Sequence, residues 1–137
     1  AAARAPTPAR SVSLGPASLE EVRHLADRGA LAEARARCGE ILGRDALNGD
    51  ACLLLSAICS ELGDVTAAYD AARQAIYLMP ASAEAHFQLA GVLRSLGQGV
   101  RAKRTMETAS RLAQARAADA MGALTTTETG AGDGDNR

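Results

Sequence analysis

The sequence predicts an all-α fold, a solenoid of helix-turn-helix units in three stacked antiparallel pairs with an extended last helix. Three observations predict it. Gly29, Gly63 and Gly97 recur every 34 residues, and Ala34, Ala68 and Ala102 each follow a glycine by five. Self-similarity at a fixed period marks a repeat architecture, in which each unit buries its apolar face against its neighbours. Ahead of each glycine, apolar residues recur at three- and four-residue spacing, as they do on one face of a helix.

The elements follow in order, at about 18–28, 31–44, 49–62, 65–78, 83–96 and 98–120. The first opens on Ser18 with Glu21 three residues on, a capping box that satisfies two backbone N–H groups at a helix start. Its apolar stripe is Val22 and Leu25, and Gly29 ends it, because the turn needs a left-handed residue that costs any side chain with a Cβ. The second helix carries Ala34 and Cys38. In the third, Cys52, Leu55, Cys59 and Leu62 form the stripe up to Gly63. The fourth carries Ala68 and Ala72 and stops before Pro80. In the fifth the stripe is His86, Leu89, Leu93 and Leu96, up to Gly97. Alanines 34, 68 and 102 fall where two helices approach closely, so a larger side chain would overpack by about 1–3 kcal/mol. The sixth helix has no Gly or Pro between Val100 and Met121. At about 1.5 Å per residue it reaches roughly 33 Å, so it overhangs its partner.

These units follow the tetratricopeptide (TPR) pattern of Trp, Leu-Gly, Tyr, Ala, Phe and Pro with its aromatics gone. The second repeat reads Cys52, Leu55-Ser56, Cys59, Ala68, Ala72 and Pro80; the third reads His86, Leu89-Ala90, Leu93, Ala102, Met106 and Gln114. Smaller residues imply closer packing. In the first repeat, polar Ser18 and Glu21 point to a degenerate repeat or an N-terminal cap. The domain plan is a Pro/Ala-rich linker at 1–17, a TPR domain at 18–124 (repeats about 18–46, 49–80 and 83–114, then a helical extension) and a disordered tail at 125–137, whose Thr, Gly and Asp bring little apolar surface.

Composition excludes several classes. Fifteen basic residues against 16 acidic ones make no large field for nucleic acid or anionic membrane. The longest apolar run, residues 51–59, is too short to span a bilayer and is interrupted by Ser56. The start lacks a signal peptide's apolar core and does not begin with Met, as in a piece of a longer protein. Cys38, Cys52 and Cys59 all fall on buried faces, which suits reduced packing thiols in a cytoplasmic protein. His24 and His86 have no partner at metal-ligand spacing, and His86 stands where the repeat buries an aromatic. Tyr69 and Tyr77 read as inter-repeat packing residues. The segment has no phosphate-binding glycine loop, metal-ligand spacing or Ser/His/Asp set, so no catalytic, cofactor or metal residue is expected.

The run Ala75-Ile76-Tyr77-Leu78-Met79-Pro80, then Ala85-His86-Phe87-Gln88-Leu89-Ala90, is more specific than a general repeat. With Leu96-Gly97-Gln98 and the basic stretch Arg101 to Arg104, it resembles the C-terminal TPR extension of CheR-type chemoreceptor methyltransferases. The likeness covers about residues 48–113 and departs at Met79, where that family often has Asp, and at Ala90, where it often has Gly. The resemblance implies a bacterial chemotaxis-type signalling protein, FrzF-like or WspC-like. Its parent would transfer methyl groups from S-adenosylmethionine to receptor glutamates with a catalytic domain N-terminal to this segment. This module would then control receptor or site choice. A free-standing TPR adaptor unrelated to methylation is the alternative.

Residues off the core stripe that recur at the same period mark a concave partner-binding groove: Leu19, Leu53 and Phe87; Arg23, Ala57 and Gly91; Ala26, Ser60 and Arg94. Leu53 and Phe87 are its natural anchors, unless neighbouring helices cover them. Lacking a capping helix, the last helix should leave a second surface, a C-terminal edge of Met106, Ala109, Leu112 and Ala113, only partly covered. The expected partner is a protein or peptide, a receptor cytoplasmic region or the parent's own catalytic domain, with self-association through the last helix as a further use of the edge.

Overall fold

A computed structural model describes the backbone of residues 15–135 and the side chains of residues 15–123. Its described residues form six helices and no strand: α1 (Leu19–Asp27), α2 (Leu31–Arg44), α3 (Gly49–Leu62), α4 (Val65–Leu78), α5 (Ala83–Ser95) and α6 (Gly99–Asp135). Each helix packs on the next, in three antiparallel pairs stacked in order.

The turn inside each pair has one construction. Gly29, Gly63 and Gly97 adopt φ of 84°, 86° and 79°. Past each glycine the next N–H reaches back five residues: Ala30 to the Leu25 carbonyl, Asp64 to Cys59 and Gln98 to Leu93, at 2.9 Å in every case. This is the Schellman closure, which satisfies a carbonyl at the helix end and needs a left-handed residue inside it. Helix starts are capped as locally. Ser18 Oγ accepts from the Glu21 N–H, Asn48 Oδ1 from Ala51, Asp64 Oδ1 from Ala67 and Ser82 Oγ from Ala85.

Small side chains fill the interior. Ala34 and Ala68 are fully buried and Ala102 nearly so, with Ala72, Ala75, Ala85 and Ala90 beside them. Between these alanines, the larger packing comes from Val22, Ile58, Val92 and Leu93. Ser56 is the buried polar residue: its hydroxyl donates to the Ala68 carbonyl at 2.8 Å, tying α3 to α4 where the repeat pattern expects glycine. All three cysteines are buried free thiols, and the Cys38 thiol donates to the Ala51 carbonyl.

Several expectations need correction. Leu62 and Leu96 are each 40% exposed, because the residue just before the turn glycine sits at the solvated rim of the stack. Leu55, Leu89 and His86 are only half-buried, and the His86 ring lies 3.1 Å from the Pro80 carbonyl instead of inside the core. The buried arc of α3 and α5 runs instead through 51, 52, 56, 58 and 59 and through 85, 90, 92 and 93. Such helices touch both their own partner and the preceding pair, so their buried arc is wider than one stripe. Tyr77 is 78% exposed; Tyr69 alone of the two packs between helices.

The ends differ as well. Ala17, placed in the linker, is buried in the first core cluster, its carbonyl accepting from Arg44, while the Gly15 carbonyl accepts from Arg37. The rest of the expected linker, residues 1–14, lies outside the described residues. At the other end α6 continues through Asp135 instead of giving way to a tail at 125. Extending an existing helix requires no new nucleation, so weak helix formers can follow strong ones.

Candidate functional site

The first helices of the pairs line one side of the stack. Besides its own partner α4, α3 contacts both α1 and α5, which brings the three parallel helices together along one face. Residues 34 apart therefore stand in rows across that face.

At its centre is a shallow concavity of about 280 Å³, lined by Arg23, Asp50, Leu53, Leu54, Ala57, Glu84 and Gln88. Of the expected groove residues, the structure brings Arg23, Leu53 and Ala57 together here. Leu53 is half-buried, and Phe87, one row on, is 40% exposed. Ser60 stands further along, its hydroxyl accepting from Gln88 Nε2 at 3.2 Å, a link from α3 to α5. Leu19 and Ala26 pack partly against the first core cluster, and Gly91 is half-buried, its carbonyl accepting from the Ser95 hydroxyl. Arg94 is exposed and faces a different hollow.

Asp50, Leu54, Glu84 and Gln88 were not among the residues expected from sequence. Their signal was present, since 50 and 84, like 54 and 88, are 34 apart. Asp50 and Glu84 are the first-turn acids of α3 and α5, favoured there by the helix dipole. The Glu84 carboxyl is held below the usual carboxylate range, first by a backbone N–H and then by Arg116, whose guanidinium spans both its oxygens at 3.3 and 3.4 Å. Both side chains of that pair are more than half exposed, so it orients more than it stabilises.

The second hollow, about 320 Å³, opens at the end of the stack between α5 and α6 and is lined by Arg94, Gly99, Ala102, Lys103, Met106 and Glu107. Of the expected edge residues Met106 lines this hollow and is half-buried, while Leu112, half-buried, and Ala113, exposed, lie outside its lining. Ala109 is not part of it. It is fully buried against α5, being two turns on from Ala102 and one from Thr105 on the face that closes the pair. From Gln114 to Ala123, α6 is exposed on every side, so this stretch overhangs α5.

Beside the edge, Tyr69 holds α4 to α6. Its hydroxyl accepts from Arg101 Nη2 at 3.2 Å, and the guanidinium groups of Arg73 and Arg101 lie 5.8 and 5.9 Å from its ring. The Arg101 hydrogen bond lowers the tyrosine's pKa. The thiols are the reverse case. Burial pushes Cys38 up to about 11, with Cys52 and Cys59 adding to it, and also raises Cys52 and Cys59. Among the described residues no three of His, Cys, Asp and Glu converge as metal ligands, and no helix is long and apolar enough to cross a membrane. What this face presents is apolar side chains, Leu53, Leu54 and Ala57, among the charged Arg23, Asp50 and Glu84.

Comparison with known proteins bears on the fold. No protein-family profile matches the chain, and no curated protein does. Solved structures do match. An O-GlcNAc transferase of Thermobaculum terrenum aligns at 26% identity over 69% of this chain and 18% of its own, with a TM-score of 0.67. MamA aligns at 23% identity over 69% of this chain and 55% of its own, TM-score 0.66. The MSR-1 form of MamA aligns at 17% over 78% and 64%, TM-score 0.67. This chain thus spans less than two thirds of each. The fold is a TPR-type helical solenoid.

Proposed function

We propose that this segment is a protein-protein interaction module that directs a CheR-type methyltransferase to its receptor or to particular receptor glutamates. The observation that carries the interaction role is the shallow concavity lined by Leu53, Leu54 and Ala57 within a charged rim, with Phe87, one repeat on from Leu53, exposed, since an apolar patch rimmed by polar residues marks a partner site. Support for the methyltransferase parent is the run from Ala75 to Ala90. Both departures from that family's pattern fit the packing: Ala90 is fully buried, and Met79 lies against Gly49, where an added Cβ would come within 2.6 Å of Met79 Cγ. The match to 18% of an O-GlcNAc transferase chain is a precedent for a stretch of this fold within a larger transferase.

In this reading the module works in the cytoplasm and holds a receptor segment or the catalytic domain in the groove, while S-adenosylmethionine chemistry belongs to that other domain. A free-standing adaptor is the second reading, favoured by the match to MamA, of which this segment spans just over half.

The deciding experiment measures binding of the immobilised chain to receptor cytoplasmic fragments and to the cognate catalytic domain, with Phe87→Ala and Leu53→Glu as variants. Micromolar binding to either, weakened at least about tenfold by both substitutions, is the expected result. Binding to neither overturns the methyltransferase link. Binding unchanged in folded variants overturns the groove.

A further inference from the structure

The two ends of the array carry opposite charge on faces that the repeat geometry would bring together. Inside the stack, α4 receives α5 through Val65 and Tyr69, which share a packed cluster with Val92, and through Ile76 and Met79, which share one with Ala85. Thirty-four residues on, that face of α6 carries Gly99, Lys103, Ser110 and Ala113, and among the described residues no helix follows to cover it. The hollow beside Lys103 and Met106 lies where the next helix would begin to pack.

At the other end the same logic runs backwards. Ala51, Leu54, Leu55 and Ile58 of α3 share a packed cluster with Cys38, Ile41 and Leu42 of α2. Thirty-four residues earlier, that face of α1 carries Ala17, Glu20, Glu21 and His24. Ala17 is buried and Glu21 is held by Arg37 at 2.9 Å. What α1 presents outward is Glu20, His24 and Asp27, all exposed. Residues 19–27 hold three acids and one arginine, whereas residues 99–123 hold five bases and two acids.

We propose that the chain stacks head to tail on a second copy of itself, α1 of one copy lying on α6 of the other where a following repeat's first helix would lie. Translating the Tyr69 and Val92 contact by whole repeats sets Lys103 beside His24 of the second copy. One turn to either side of that histidine are Glu20 and Asp27, so the lysine enters between two carboxylates. Arg116 reaches Glu84 at the start of α5, and α6 runs on from there along its own axis. A contact between two different faces leaves one acidic and one basic end free, so assembly is open-ended rather than a closed dimer. Being charged and exposed, the contact is sensitive to salt.

Sedimentation velocity of the full chain, over a range of protein concentrations at low and high salt, tests this. The average mass should rise past the dimer with concentration at low salt and fall toward the monomer at high salt. Lys103→Glu and the paired change Glu20→Lys with Asp27→Lys should each weaken association at least about tenfold, and combining the two should recover it to within about threefold, because complementary charge is restored in swapped order. All three residues are exposed, so helix content by circular dichroism should stay that of the parent. Phe87→Ala, in the partner groove, should leave association unchanged. A monomer at every concentration, a dimer that does not grow, association indifferent to either reversal, or a combined variant no better than either reversal alone would each overturn the proposal.

Discussion

Replacing Gly63 with alanine should lower stability, while the same replacement at Gly39 should raise it, although neither added methyl group touches anything. At both positions an ideal Cβ meets no atom within 4 Å, so crowding contributes nothing and only the backbone distinguishes them. Gly63 has φ of 86°, where an L-residue is disfavoured by about 1–2 kcal/mol. Alanine also restricts the unfolded chain, which returns about 0.4–1 kcal/mol, leaving a net loss of about 1 kcal/mol. Gly39 lies inside α2 without positive φ, where alanine is favoured by about 0.5–1 kcal/mol. The two variants should therefore differ by about 1.5–2 kcal/mol. For a domain of about 100 residues each kcal/mol is about 4–8 °C in Tm, so the separation should be near 10 °C. Urea denaturation followed by circular dichroism, with a thermal scan beside it, measures both. If Gly63→Ala matches the parent, or Gly39→Ala loses as much, the Schellman turn is not what sets the period.

Two further outcomes follow from the interior and the caps. With its pKa near 11 against an ordinary 9.0, Cys38 holds about a hundredfold less thiolate, so alkylation near neutral pH, read by mass spectrometry, should label it at least that much more slowly in the native chain than in urea; equal rates would contradict its burial. Asp64 caps α4 through the Ala67 N–H and pairs with Arg35 at 3.0 Å, and both lower its pKa, the backbone bond first. A folded pKa below the unfolded one means that its contribution is complete above the unfolded value and is lost as pH falls through the folded one. Asp64→Asn should therefore flatten the fall in stability below about pH 4, as followed by urea midpoints; an unchanged acid limb would refute this.

What the sequence determined by itself is the periodic part of the protein. Three left-handed glycines, the alanines at 34, 68 and 102 and the cap at Ser18 are local requirements of backbone geometry and close approach. They repeat, so one sequence displays them three times, and the six helices stand within a few residues of where the spacing puts them, save the end of α6. The concave row was legible for the same reason, though the reading stopped a turn short of Asp50 and Glu84. Only the tertiary structure decided what depends on which neighbour a face meets. Leu62 and Leu96 satisfy the apolar stripe yet lie at the rim, Ala109 fits the open edge yet is buried by α5, and Tyr77 is left exposed while Tyr69 is gripped by Arg101. The spacing of 3.6 residues says which side chains share a face; it does not say how wide an arc the adjoining helices cover. That arc is set by packing between helices far apart in sequence, such as the cluster that joins Cys52 of α3 to Ala75 of α4 and Ala85 of α5.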